Sequence, residues 1–139
     1  AERWGKQLGL PVVRLQGQGQ LGSRLRRQLM HGHRCGTPSL LIGTDLPDLE
    51  ERDLTQAIEA LKQAPVVLGP SHDGGYWLLG LNARLARQCP AWLFTGIGWG
   101  GDQVLRTTLK RSRDRGFAPH LLETQNDIDR LEDLRPWLV

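Results

Sequence analysis

Cysteine is scarce in this sequence, with 2 residues among 139. Cys35 and Cys89 form neither a CxxC pair nor a disulfide framework, and no local pattern activates either thiol. No apolar run approaches the length of a membrane span, and no signal peptide opens the sequence, so we expect no contact with a membrane. Together these absences predict a cytoplasmic protein that works under reducing conditions.

Aromatic residues are also few, at 6% of the chain. The net charge is a mild +3, and the basic residues concentrate at 24–34 and 106–115. Nucleic-acid binding would favour a basic stripe interleaved with aromatic side chains. We therefore interpret these stretches as solvated helix faces and expect no nucleic-acid partner. The length and the 39% hydrophobic content predict one globular domain over residues 1–139.

Apolar runs of strand length alternate with segments of helical periodicity. Strands are predicted at 11–16, 39–43, 66–69, 76–81 and 119–123, and helices at 21–32, around 54–61, from 104 to about 115, and after a capping box formed by Asp129 and Glu132. Asp48 is the predicted cap of the second helix. This alternation predicts an α/β fold of three layers with a doubly wound, mostly parallel sheet.

Acidic side chains follow several of the predicted strands. Asp45 ends the run LIGTD, and Asp127 and Asp129 follow the last strand. In an open α/β sheet such strand ends form a polar crevice. Mg²⁺ or Mn²⁺ needs one or two protein carboxylates there and takes its remaining ligands from water and substrate phosphates. We therefore predict a metal site at Asp45, Asp127 and Asp129, while a turn role for Asp45 and a cap role for Asp129 stay open.

The loop Asp73-Gly74-Gly75-Tyr76 joins two predicted strands. Paired glycines after an acid allow a sharp turn and a close approach of backbone to a ligand. An ordinary hairpin turn would use Asp-Gly as well. Trp99 lies between Gly98 and Gly100, which predicts a mobile loop. Its ring could stack on a base or a sugar, or could simply cover part of the surface.

A glycine pattern, GxGxxG at Gly17, Gly19 and Gly22, follows the first predicted strand and opens the first helix. This is the context that a dinucleotide-binding loop requires. The surrounding glutamines Gln16, Gln18 and Gln20 stand where small or apolar residues are usual. A flexible loop before the helix is favoured, and a dinucleotide-binding module of the Rossmann type remains the second hypothesis.

Five sequence blocks occur in an order that resembles a known family. They are LGSRL (21–25), GTDLPDL (43–49), VVLGPSHDGGYWLLGL (66–81), FTGIGWGGDQVLRTTL (94–109) and DIDRLEDL (127–134). Together they resemble bacterial glycosyltransferases of the A type assigned to arsenosugar biosynthesis, formerly a domain of unknown function. That family is similar to the molybdenum-cofactor and phospholactate nucleotidyltransferases. The GPxxDGGYxLLGL block is the most specific of the five.

The resemblance implies a sheet of the nucleotide-diphospho-sugar transferase kind and a metal-dependent transfer of a glycosyl or nucleotidyl group from a nucleotide donor to a small-molecule acceptor. It implies roles for particular residues: catalytic, Asp45 and Asp73; substrate-binding, Gly74, Gly75, Tyr76 and Trp99; metal-binding, Asp45, Asp127 and Asp129. Such a metal would neutralise the charge that develops on the diphosphate leaving group.

The sequence departs from this family at its start. Members begin with a strand and a loop containing Gly, Arg and Lys that binds the nucleotide, and this sequence begins downstream of both. We therefore expect a sheet that lacks its first strand, with exposed edges that could pair in a homo-oligomer. An inactive fragment, or a subunit that requires a partner, is a further alternative.

Overall fold

Four strands form one sheet in the order β1-β3-β2-β4. The computed structural model describes residues 6–7, 9–10, 14–32, 36–128 and 131–137. Its elements are α1 (Leu21–Gly32), β1 (Ser39–Ile42), α2 (Glu51–Ala60), β2 (Val66–Pro70), β3 (Tyr76–Leu81), α3 (Ala83–Gln88), a 3₁₀ turn (Ala91–Leu93), α4 (Val104–Asp114), β4 (His120–Leu121) and a 3₁₀ helix (Leu131–Trp137). Within the described residues, no helix is long and apolar enough to cross a membrane.

The sheet is mixed, which corrects the prediction of a mostly parallel sheet. β3 lies between β1 and β2 and runs antiparallel to both, and β4 is parallel to β2. The physical reason is the loop between β2 and β3. It spans only residues 71–75, whereas a parallel crossover needs about a dozen residues or more. β2 and β3 therefore form a hairpin, although β1, β2 and β4 still share one direction.

Helices cover both faces of the sheet, because neighbouring residues of a strand point to opposite sides. Val66 and Leu68 of β2 belong to a core cluster with Leu29 of α1 and with residues of α3. Val67 points the other way and packs with Ala57 of α2. The sheet is thus enclosed between two helical layers, and its central strands β2 and β3 are almost fully buried.

A β-bulge interrupts the hairpin close to its loop. Gly69 pairs with Leu78, but the next residue, Pro70, pairs with Tyr76. The extra residue, Trp77, therefore lies on the same side as Leu78, and Tyr76 points to the opposite face. The Trp77 ring covers Gly69, where a Cβ atom would lie 2.3 Å from the indole. Its Nε1–H donates to the carbonyl of Glu123 at 3.1 Å.

Two helices differ from the sequence prediction, one in its start and one in its existence. α2 begins after Glu50 rather than Asp48, because the Glu50 amide donates to the Asp53 carboxylate at 2.8 Å. α3 was not predicted, although Asn82 caps it by accepting from the Leu85 amide. Residues 11–13 of the first predicted strand and Asp129 of the terminal capping box lie outside the described residues, and residues 14–16 are irregular.

Candidate functional site

A cleft of about 440 Å³ opens where β1 and β2 end and β3 begins. Its lining combines acidic, apolar and aromatic side chains: Gln16, Leu21, Leu25, Leu41, Ile42, Gly43, Thr44, Asp45, Ser71, Asp73, Gly75, Tyr76, Trp77, Trp99, Gly100, Gly101, Val104 and Asp127. Six of the predicted site residues therefore lie around one cleft: Asp45, Asp73, Gly75, Tyr76, Trp99 and Asp127. The apolar side, which α1 contributes through Leu21 and Leu25, was not predicted.

Asp45 and Asp127 come together because the chain after β4 continues along the edge of the sheet. The amide of Gln125 donates to the Pro70 carbonyl, which extends the pairing beyond β4. Three residues later the Ile128 amide donates to the carbonyl of Asp45 at 2.9 Å. This bond fastens the end of the segment to the loop after β1. Two acids that are 82 positions apart in the numbering thus share the cleft.

The loop before β3 presents Asp73 to the same cleft. The Asp73 carboxylate accepts from the Gly75 amide at 2.8 Å, which closes an Asx turn. Gly74 has a φ of +90° and lies against the backbone of Asp102, while its carbonyl accepts from the Leu105 amide at 2.9 Å. Gly74 therefore docks the acidic loop onto the start of α4, and it is Asp73, Gly75 and Tyr76 that line the cleft.

Tyr76 forms part of the wall with a hydroxyl that is buried. The bulge at Trp77 turns Tyr76 to the face of the sheet that α1 covers. Its hydroxyl has no hydrogen-bond partner among the described residues. Burial raises the pKa of the Tyr76 hydroxyl well above its usual value, so this group remains protonated at neutral pH.

Trp99 stands next to Tyr76 with its ring nearly perpendicular, at a centroid distance of 6.3 Å and an interplanar angle of 82°. This edge-to-face geometry is favourable for aromatic pairs. The indole also packs over Gly22 of α1, where a Cβ atom would lie 2.6 Å from Nε1 and 2.2 Å from the Phe94 carbonyl oxygen. Trp99 lies in a turn, where it is half-buried and packed, and the mobility that its flanking glycines predicted stays a prediction.

Arg111 holds the segment that leads to Trp99, a role that the sequence did not reveal. From the last turn of α4 its guanidinium donates to the carbonyl oxygens of Trp92, Thr95 and Gly96. These bonds fix the turn just before the tryptophan. In sequence Arg111 is one of several basic residues at the end of a helix, and nothing distinguishes it from its solvated neighbours.

The side chains that line the cleft are chemically compatible with a divalent cation. Three carboxylates line it, and none of its described lining residues is basic. In the described part of the chain, no group of three or more His, Cys, Asp or Glu residues could hold an ion by itself. Asp45 and Asp127 would nevertheless be enough for Mg²⁺, which takes only one or two protein carboxylates when phosphates and water complete its ligands. Asp129 lies outside the described residues, so its predicted role stays a prediction.

The glycine pattern before α1 makes contacts that suit a structural loop. The carbonyl oxygens of Gln16 and Gln18 accept from Arg27 at 2.7 and 3.1 Å. A dinucleotide-binding loop would instead leave amide groups directed at the pyrophosphate. The third glycine, Gly22, is required for packing against Phe94 and Trp99. No described contact of this loop favours the dinucleotide hypothesis.

Comparisons with known proteins agree with the nucleotide-diphospho-sugar transferase fold. Residues 2–101 match the model of a family described as "uncharacterized protein conserved in bacteria" (DUF2064). The crystal structure of a candidate nucleotide-diphospho-sugar transferase from Desulfovibrio desulfuricans G20 is similar, with a TM-score of 0.86 and 27% identity. That match covers 98% of this chain and 58% of the other, so this chain spans little more than half of that protein's length. No curated protein matches the chain.

Proposed function

The chain belongs to the bacterial family DUF2064, and we propose that it is a domain of a metal-dependent transferase that uses a nucleotide-sugar donor. The transferred group would be a glycosyl or a nucleotidyl unit, and the sequence resemblance to arsenosugar-biosynthesis glycosyltransferases supports glycosyl transfer. The similar protein from Desulfovibrio desulfuricans G20, described as a candidate nucleotide-diphospho-sugar transferase, supports the same class of donor.

One observation carries this proposal: Asp45, Asp73 and Asp127, from three separate loops, converge on a single cleft with aromatic walls. A carboxylate-lined cleft without basic lining side chains would repel a diphosphate unless a cation were bound between them. It would equally suit a divalent ion that the substrate phosphates help to coordinate. The cleft, at about 440 Å³, is also large enough for a sugar.

Each group of lining residues would have its own role. Asp45 and Asp127 would hold Mg²⁺ or Mn²⁺ at the polar edge of the cleft. The bound ion would supply electrostatic stabilisation of the diphosphate leaving group. Asp73, fixed by its Asx turn, would orient the hydroxyl groups of a sugar or an acceptor. The apolar side formed by Leu21 and Leu25 would limit access of water to the reacting centre.

Thermal unfolding with ligands tests the proposal. UDP-glucose or GDP-mannose should raise the melting temperature when Mn²⁺ is present and should have little effect in EDTA. A ligand at 100 times its Kd stabilises the folded state by about 2.7 kcal/mol, which is readily measured. Stabilisation by a nicotinamide dinucleotide without metal would support the dinucleotide hypothesis instead. No response to any nucleotide sugar with Mn²⁺ would contradict the proposed function.

A further inference from the structure

A second groove, here called the arginine groove, lies between α1 and the turn that follows Phe94. Arg26 and Arg27 line it on the side of α1, and none of its described lining residues is acidic. The carboxylate-lined cleft touches α1 on its opposite side, because the helix positions that line the two cavities differ by about half a turn. The volume of the arginine groove, about 340 Å³, is in the range of small-molecule sites. The groove and the cleft therefore present opposite charges to a ligand.

The positive charge of the arginine groove is not cancelled by nearby acids. Arg26 donates through Nε to the Cys89 carbonyl at 3.3 Å, and Arg27 donates to two carbonyl oxygens of the loop before α1. Neither arginine forms a salt bridge with a described acid, and the sequence has no acidic residue at positions 3–44. Since a guanidinium has five N–H donors, each of the two keeps donors that these carbonyls do not use.

The turn across the groove from α1 supplies backbone donors. Arg111 does not line the groove, and it binds the carbonyl oxygens of Thr95 and Gly96, which do. The N–H of a trans peptide points away from its C=O, so the amides of Gly96 and Ile97 point away from Arg111 and are directed at the groove. Neither amide has a hydrogen-bond partner among the described residues. Gly96 has a φ of +63°, and successive amides in such a turn form a concavity that binds anions.

We propose that the arginine groove is a binding site for the phosphate group of a small phosphorylated molecule, and that this site needs no metal ion. Guanidinium groups suit phosphate because their N–H donors match its oxygens in charge and in geometry. The two amides of the turn can donate to the same oxygens. Met30 and Phe94 also line the groove, so the organic part of the ligand would have apolar contacts. The inference goes beyond the proposed function, because the donor in the cleft would be held through a metal ion instead.

Calorimetric titration with glycerol phosphate in EDTA tests the proposal, because the carboxylate-lined cleft repels anions when no metal ion is bound. The wild type should bind glycerol phosphate saturably at one site, and it should not bind glycerol. Arg26→Gln removes a charged donor and should weaken binding about tenfold. Arg113→Gln is the matched control, because it makes the same change in charge at an exposed residue outside the groove. Its affinity should stay within about twofold of the wild type, since an exposed charge outside the groove acts only through the screened field.

A variant at Ser23 keeps the test decisive if Arg26→Gln does not fold. Ser23 is exposed and lines the groove, so Ser23→Asp places a negative charge where the phosphate would bind. The first turn of α1 contains no acid, and an acid in the first turn stabilises a helix. Ser23→Asp should therefore keep or raise the melting temperature and lose binding of glycerol phosphate. Ser23→Asn, which has nearly the same shape without the charge, should still bind.

The results that would contradict the inference are specific to the groove. If the wild type does not bind glycerol phosphate in EDTA, the site does not exist. If Arg26→Gln and Arg113→Gln weaken binding equally, binding follows the overall charge of the protein and the assignment to this groove is wrong. Neither result affects the proposed function, because binding of nucleotide sugars to the cleft is measured separately with Mn²⁺. A failure of that Mn²⁺-dependent binding would likewise leave the phosphate site standing.

Discussion

Replacing Gly74 by alanine should destabilise the protein and displace its acidic loop. A Cβ atom at this position would lie 2.1 Å from the carbonyl oxygen of Asp102, which would have to retreat by about 0.9 Å to reach even a 3.0 Å contact. The obstacle is backbone at the start of α4, so no side-chain rotation can relieve it. The φ of +90° adds a conformational cost for any residue with a side chain.

Two other glycines allow these costs to be separated. A Cβ atom at Gly98 would have no neighbour within 4 Å, and the φ of Gly98 is not positive, whereas Gly116 has equally open space but a φ of +78°. Gly98→Ala should change the unfolding free energy by less than about 1 kcal/mol. Gly116→Ala should cost about 1–2 kcal/mol for its backbone conformation alone. Gly74→Ala should cost that amount plus about 1–2 kcal/mol for the overlap and the strained hydrogen bond to Leu105.

Chemical denaturation of the three variants measures these differences, and thermal unfolding should show Gly74→Ala with a melting temperature lower by roughly 10 °C. The same variant should lose affinity for nucleotide sugars, since Asp73 moves with the loop. A Gly74→Ala protein as stable as Gly116→Ala would refute the reasoning, because it would show that the loop is not docked against α4.

Two further substitutions probe the framework of the cleft. Arg111→Ala removes three hydrogen bonds to the segment that precedes Trp99, so it should lower the free energy of unfolding by about 1–2 kcal/mol and weaken nucleotide-sugar binding. Arg111→Lys should restore part of the stability and part of the binding. Full nucleotide-sugar affinity in Arg111→Ala would contradict the anchoring role. Asp53→Ala should destabilise α2 by about 1 kcal/mol, because the Asp53 carboxylate accepts from the Glu50 amide. Asp48→Ala should lower the free energy of unfolding clearly less. If urea unfolding showed the reverse order, Asp48 would be the cap after all.

The sequence predicted most elements of the fold, and its failures have identifiable causes. The periodic leucines of α1 and the apolar runs of β1, β2 and β3 gave nearly correct bounds. α3 was missed because six residues contain too little of a 3.6-residue period, although Asn82 offered a capping signal. The sheet was predicted as mostly parallel because alternation of strand and helix outweighed the short loop of residues 71–75, which was itself evidence for a hairpin.

Part of the candidate site could be predicted from the sequence, and there is a physical reason for this. Acids at the ends of strands meet at one edge of a sheet, so Asp45, Asp73 and Asp127 could be grouped from their sequence context. The bulge at Trp77 could not be predicted, and it is this bulge that places Tyr76 on the cleft side. Arg111 was also missed, because its carbonyl partners are set by tertiary packing and leave no local pattern in the sequence.

The metal site at the centre of this account is tested most directly by titrating Mn²⁺ into Asp45→Asn. This change removes a charge and a metal ligand while keeping the shape of the side chain. Asp48→Asn is the matched control, because the same change is made three residues away at a position outside the lining of the cleft. Calorimetry with a nucleoside diphosphate present should show Mn²⁺ binding in the wild type and in Asp48→Asn, and its loss in Asp45→Asn. Undiminished binding in Asp45→Asn would show that this acid only shapes a turn, and the proposed metal-dependent transfer would lose its basis.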